Sequence, residues 1–242
     1  RQPRRSPQWK ALMTSLTLVA TDLDHTFLGA DQRPSELNTH SVFAAAEHGA
    51  AVVFATGRPL RWLDLLEVFT DVNPTVIASN GAVTYDLRNH RVISDTPFPI
   101  DVITDVVNDI ASELPEAKFS LEEAQRCCVE PGFDRVDHGR PVTHQGPIRE
   151  FLTADSRPVK MLVRAFGIPT EELFKIVDGV VDGRVSTTFS VQLDDGLVEL
   201  APIGVSKGAA LSSVAEQLDI DLADAAAFGD MPNDLSMLRL VG

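Results

Sequence analysis

The chain has 242 residues, 44% of them hydrophobic and 23% charged, with a formal net charge of −14. That length can bury one large core or two modest ones, and the acidic balance disfavours a general binder of nucleic acid or anionic membrane, whose phosphates it would repel. No stretch approaches membrane-spanning length and none near the start reads as a secretory signal, while the only cysteines, Cys127 and Cys128, are adjacent and match no zinc spacing, so a reducing, cytoplasmic setting is expected.

Residues 1–12 carry Arg1, Arg4, Arg5 and Lys10 with two prolines and no periodicity, and are expected to be a disordered extension, with Met13 a candidate start. Leu16, Leu18, Val19 and Ala20 then form a short apolar run of the kind a buried parallel strand shows. It ends on Asp22 and Asp24, with Thr26 beyond. Chemistry in an open α/β sheet gathers outside the carboxyl ends of its strands. Two carboxylates there could bind a hard cation, attack a phosphorus or move a proton; Asp-x-Asp is also an ordinary turn sequence.

After a polar loop, Ser35 is placed to cap a helix that ends at Gly49. Residues 51–55 read as a continuous apolar strand stopping at Thr56-Gly57-Arg58, and residues 60–69 as a helix. Residues 75–78 give a third strand, stopping at Ser79-Asn80-Gly81. Apolar strands alternating with helical patterns imply right-handed βαβ units around a parallel sheet.

The pattern then changes. Residues 82–85 and 91–93 can pair as a hairpin, residues 95–99 read as a linker and residues 100–114 as an amphipathic helix. Residues 122–158 are polar and rich in Gly and Pro, and read as loop; His138 and His144 within them are either substrate contacts or solvated side chains, and lack metal-ligand spacing. A strand at 159–163, a helix at 170–181, and strands at 185–193 and 197–200 around Asp194-Asp195-Gly196 complete an α+β unit. At Ser206-Lys207-Gly208 a helix begins, and a last apolar strand, 225–228, runs into Gly229-Asp230-Met231-Pro232-Asn233-Asp234. The fold expected is α/β: a Rossmann-like parallel sheet core from residues 13–97 and 201–242, with an inserted α+β domain at 98–200.

Four strand ends therefore present polar residues to one edge: Asp22 and Asp24, Thr56, Asn80, and Asp230 with Asp234. Asp230 and Asp234 are four apart, where like charges repel unless a cation intervenes; an acidic helix N-terminus favoured by the dipole is the alternative. Lys207 sits in the first turn of its helix, the end where a cation is disfavoured by some tenths of a kcal/mol. It faces either carboxylates and a phosphate, or solvent.

In series these motifs resemble those of the haloacid dehalogenase-like (HAD) phosphohydrolases: Asp22-Leu23-Asp24-His25-Thr26 is similar to their first motif, Thr56 to the second, Lys207 to the third and Gly229–Asp234 to the fourth. The position of the insert and the Ser79-Asn80-Gly81-Ala82 stretch resemble the Cof-type subfamily with its large α/β cap (class IIB-like). The resemblance implies a Mg²⁺-dependent phosphatase, a phosphoric monoester hydrolase, acting on a small phosphorylated metabolite such as a sugar phosphate. It implies Asp22 as nucleophile through an aspartyl-phosphate and Asp24 as acid and base. Mg²⁺ would be held by Asp22, the Asp24 carbonyl, Asp230 and Asp234. Thr56 and Lys207 would hold the phosphoryl group, with Gly57, Arg58, Asn80 and Gly81 contacting substrate, and Asn233 either touching the phosphate or orienting the Asp230 loop. Arg126, Arg135, Arg140 or Arg149 are candidates for a second anionic group.

His25 stands where the family has glycine, so that turn is expected to tolerate a Cβ in left-handed geometry. Family members usually run on for another strand and helix, so an open sheet edge is expected beside residues 225–228. A phosphomutase or phosphotransferase would use the same residues. A decayed HAD-like binding protein or a receiver-type domain are readings of another class, disfavoured by the complete motif set and the insert.

Overall fold

A computed structural model describes residues 16–134, 142–189 and 191–242. Two six-stranded sheets organise it. In the first, the order is β12 (Ala225–Phe228), β1 (Leu18–Thr21), β2 (Ala51–Ala55), β3 (Thr75–Ala78), β4 (Val83–Asp86) and β5 (Arg91–Asp95). The four strands from β12 to β3 are parallel, and β4 and β5 add an antiparallel hairpin. β12 is the outer strand, with no described strand paired beyond it.

Period-two alternation splits the buried residues of this sheet between two layers. Val52, Phe54, Val76 and Ala78 pack with Val42 of α1 (Glu36–Glu47) and with Leu66 and Phe69. Val53, Ala55 and Ile77 pack with Leu211 and Val214 of α4 (Lys207–Gln217) and with Met237 of α5 (Leu235–Leu238). Coverage on both faces explains why these strands read as unbroken apolar runs. The caps follow the sequence: Ser35 Oγ accepts from Asn38 N, and Ser206 Oγ from Ala209 N.

The second sheet has the order β10 (Ser186–Thr188), β11 (Leu197–Ala201), β9 (Pro158–Arg164), β6 (Lys118–Glu123), β7 (Cys127–Val129) and β8 (His144–Gln145). All its pairings are antiparallel except β7 with β8. Two helices, α2 (Ile100–Glu113) and α3 (Thr170–Val181), cover one face, packing Ile103, Val107, Leu173 and Val177 onto Phe119, Leu121, Met161, Val163, Val198 and Leu200.

Three local expectations change. Residues 60–69 form tight three-residue turns, Leu60–Trp62 and Asp64–Val72, in place of an α-helix. The segment 122–158, expected as loop, supplies the end of β6 and all of β7 and β8, which at three and two residues are too short to show a strand period. Asp194-Asp195-Gly196 is not a tight hairpin turn. Its neighbours bond to the chain ahead of α3, Gly196 N to Ile168 O and Thr170 N to Leu193 O, so β10 pairs β11 only from Thr188 outward. The segment 1–12 lies outside the described residues.

Candidate active site

The parallel strands β1, β2, β3 and β12 end at one edge, and the side chains that follow them converge there. After β1 the chain makes one wide turn, Leu23–Phe27, in which His25 takes φ 62° and Leu28 N closes on Leu23 O at 2.8 Å. Histidine is among the residues that tolerate this left-handed geometry; the ring stays exposed. The turn leaves Asp22 buried and Asp24 beside the opening. Thr26 Oγ1 donates to Asp230 Oδ1 at 2.9 Å, tying the first motif to the loop after β12.

Lys207 is buried, which excludes the solvent-facing alternative. Its Nζ donates to Asp22 Oδ1 at 2.5 Å and to Asp234 Oδ1 at 2.6 Å. Burial pushes the Asp22 carboxyl above its ordinary value, and the Lys207 charge opposes that rise. Asp234 also caps its own loop, Oδ2 accepting from the backbone N–H of Asp230 and Met231. Carboxylate oxygens of Asp22, Asp230 and Asp234 all lie within 4.8 Å of one another. An all-oxygen, acidic donor set that draws in a buried ammonium fits a hard divalent cation. The Asp24 carboxylate is not in that cluster. It is gripped by Arg58, whose Nε and Nη2 donate to it at 2.9 and 2.5 Å, while Arg58 also reaches Gln32.

Thr56 is fully buried, its Oγ1 accepting from Arg58 N at 3.1 Å. Gly57 leaves room for the Asn80 amide, since a Cβ there would stand 2.9 Å from Asn80 Oδ1 and push that side chain aside. Ser79, Asn80 and Gly81 take φ of 50°, 59° and 107° in succession. A Cβ on Gly81 would meet Ser206 O at 2.3 Å, so this turn is wedged against the start of α4. Asn233 Nδ2 donates to Asn80 Oδ1 at 3.0 Å.

The residues of the four motifs and of the Ser79-Asn80-Gly81 turn thus gather at the one edge. A cavity of about 340 Å³ opens from it, walled on the far side by the second sheet. Three charged wall residues were not singled out from sequence: Glu122, Lys160 and Glu199, each buried. They project from the face of β6, β9 and β11 opposite to α2 and α3. Glu122 receives Arg61 in a two-toothed pair at 3.1 and 2.5 Å; Lys160 Nζ pairs with Glu199 at 2.6 Å and donates to Gly57 O at 3.2 Å. For Lys160 and Glu199 the available signal was a charge in the middle of an apolar strand; Glu122 sits near the end of an alternating one and carried no such signal. By contrast Arg126 pairs with Glu123 beside β5, and Arg149 donates to Asn108; neither lines this cavity. His144 is exposed in β8, packed near Phe151. Arg135, Arg140 and His138 lie outside the described residues.

Comparison with known proteins gives a concordant result. The haloacid dehalogenase-like hydrolase family matches residues 19–242. A Bacillus subtilis (strain 168) protein, YxeH, is 25% identical over 231 residues, covering 93% of this chain and 84% of its own. An HMP-PP phosphatase of Yersinia pseudotuberculosis serotype I (strain IP32953) is 26% identical over 235 residues, covering 93% and 81%. Among solved structures, the HAD subclass IIB sugar phosphatase BT4131 superposes with a TM-score of 0.78 at 19% identity, over 93% of this chain and 85% of that one. TM0651 from Thermotoga maritima gives 0.77 at 24% identity, over 93% and 84%. These likenesses identify the fold. No helix among the described residues is long and apolar enough to cross a membrane.

Proposed function

The chain belongs to the haloacid dehalogenase-like hydrolases, of the Cof type, and from that membership we propose that it is a phosphatase of small phosphorylated metabolites, working through an aspartyl-phosphate on Asp22. The observation that carries this reading is the convergence of Asp22, Thr56, Lys207, Asp230 and Asp234 on one sheet edge below a walled cavity. Residues 13–97 and 201–242 are read as the catalytic core and 98–200 as a cap.

In this mechanism an Asp22 carboxylate oxygen attacks the phosphorus, and the bond from phosphorus to the leaving alcohol breaks. Asp24 gives its proton to that alcohol. Asp24 then takes a proton from water, which attacks the phosphorus and releases inorganic phosphate and free Asp22. Arg58, which grips the Asp24 carboxylate at the cavity, would also meet a bound phosphoryl group. Thr56 and Lys207 hold phosphoryl oxygens in line, the kind of positioning on which phosphoryl transfer depends. Asp22, Asp230 and Asp234, with the Asp24 carbonyl, would hold Mg²⁺. When bound it supplies charge neutralisation at the phosphoryl oxygens.

The leaving group would meet Trp62, Leu162 and the Glu122, Lys160 and Glu199 wall. The charges of that wall are already paired, Arg61 with Glu122 and Lys160 with Glu199. That favours a leaving group recognised by hydrogen bonds, such as the hydroxyls of a sugar, over one carrying a second anion. The test is phosphate release from p-nitrophenyl phosphate with Mg²⁺ or EDTA. We expect metal-dependent turnover that falls by about 10⁴-fold in Asp22→Asn. Folded wild-type protein that hydrolyses neither this ester nor any in a metabolite panel overturns the reading.

A further inference from the structure

We propose that Glu199, Asn80 and Asn233 form a hydrogen-bonded relay through which the cap sets the position of the Gly229–Asp234 loop, with Asn80 as the positioning residue. Its bearing on turnover rests on the phosphatase reading; its effect on the loop does not.

The relay has a direction, and the direction is imposed from the cap. Glu199 is buried and paired to Lys160 at 2.6 Å. A carboxylate in that state only accepts hydrogen bonds, so the group that Asn80 turns to it at 3.0 Å must be the amide nitrogen. Asn80 Oδ1 is then left facing the opposite way, and it accepts from Asn233 Nδ2 at 3.0 Å. The Asn233 amide oxygen is in consequence buried with no hydrogen-bond partner. Each amide orientation therefore follows from the one before it, starting at Glu199.

The middle of the relay is held stiffly. Asn80 lies in three consecutive residues of positive φ, the third being Gly81, wedged against Ser206 O. Non-glycine residues held in left-handed geometry cost free energy and persist where their surroundings over-determine them. Gly57 lacks the Cβ that would collide with Asn80 Oδ1. The same cap cation touches the core a second time, Lys160 Nζ donating to Gly57 O. One cap ion pair thus reaches both the loop after β2, next to Thr56, and the loop after β12, which carries Asp230 and Asp234. Both atoms of the Asn80 amide are engaged in this relay, at the wall of the cavity.

Two measurements test the relay on the full chain. The first is hydrogen–deuterium exchange of the loop after β12 in Glu199→Leu and in Glu199→Gln, which keeps a carbonyl acceptor for Asn80. Exchange of the Asp230 and Met231 amides should quicken about tenfold in Glu199→Leu, while α2 and α3 keep wild-type protection and Glu199→Gln stays close to wild type. Unchanged loop exchange in Glu199→Leu overturns the relay.

The second is kinetics on acetyl phosphate, too small to reach Glu199, and on p-nitrophenyl phosphate. Asn80→Gly, which suits the local φ and removes the amide, should lower kcat on both by a common factor of roughly 10 to 100, with KM little changed. A loss confined to the KM of the aryl ester makes Asn80 and Glu199 substrate contacts and overturns the relay. If wild-type protein hydrolyses neither of these compounds nor any ester in a metabolite panel, the phosphatase reading fails, and loop exchange alone decides the relay.

Discussion

In the parallel sheet both faces of β2 and β3 are covered, by α1 with Leu66 and Phe69 on one side and by α4 on the other, and the polar residues of these strands stand at their ends. In the second sheet α2 and α3 cover one face, and the other carries Glu122, Lys160, Leu162 and Glu199 toward the cavity. The first sheet delivers side chains from strand ends, where backbone turns fix them. The second delivers them from strand faces, where alternation does. The difference teaches where each unit tolerates change. The first is sensitive at its turns, and the second tolerates substitution on one face and not on the other.

The turn after β3 gives the largest expected effect. Gly81→Ala places a Cβ 2.3 Å from Ser206 O at φ 107°, with backbone on one side and a strained turn on the other. We expect a loss of about 4 kcal/mol or more, enough to remove most folded protein. Urea denaturation reads it directly. A variant as stable as wild type would show that the turn and the start of α4 are free to separate, and the contrast between turns and faces would lose its first term.

Adjacent residues of β9 sharpen the comparison within a single strand. Met161 is fully buried against α2 and α3, and Met161→Ala should cost about 2–4 kcal/mol. Leu162 lies on the cavity face, and Leu162→Ala should change stability by no more than about 1 kcal/mol. The kinetic order is reversed: Leu162→Ala should raise KM for the preferred ester several-fold, and Met161→Ala should leave KM alone wherever it folds. Equal stability losses at the two positions would mean that the cavity face is packed like the core face. Cys127 belongs to this comparison as well. Burial is the main reason its thiol is pushed up to about 12, so iodoacetamide at pH 8 should leave it unmodified until the protein unfolds.

The same contrast decides what the sequence makes legible. Val52-Val53-Phe54 and Val76-Ile77 announce buried parallel strands, and their ends name Thr56 and Asn80 without any three-dimensional information. Lys207 is legible only in part. Its place in a helix's first turn is visible, but its burial between two carboxylates depends on β1 and the loop after β12 meeting across the fold. Lys118 to Glu123 alternates as a half-buried strand should, yet its neighbours are polar and its pairing partner β9 is distant in sequence. Lys160 and Glu199 each look like a charge misplaced in an apolar run. Only the sheet register brings them together.

The smallest effect concerns the balance between function and stability at Asp22. Burial raises the folded-state pKa of this carboxyl above the ordinary 3.8, although Lys207 opposes the shift. A raised carboxylate pKa stabilises the fold where the group is protonated, and that contribution is lost as pH climbs from the unfolded value through the folded one. At neutral pH the ionised group is therefore a net burden on the fold. Asp22→Asn keeps the shape, removes the ionisation, and leaves Lys207 paired with Asp234 alone. In EDTA, its melting temperature at pH 7 should be equal to or above that of wild type, with the gap closing as pH approaches 4. A melting temperature clearly below wild type at pH 7 would mean that the Lys207–Asp22 attraction outweighs the burial of the charge. The edge that gathers Asp22, Lys207 and Asp234 would then be as well packed, in energetic terms, as the faces of the sheet that carries it.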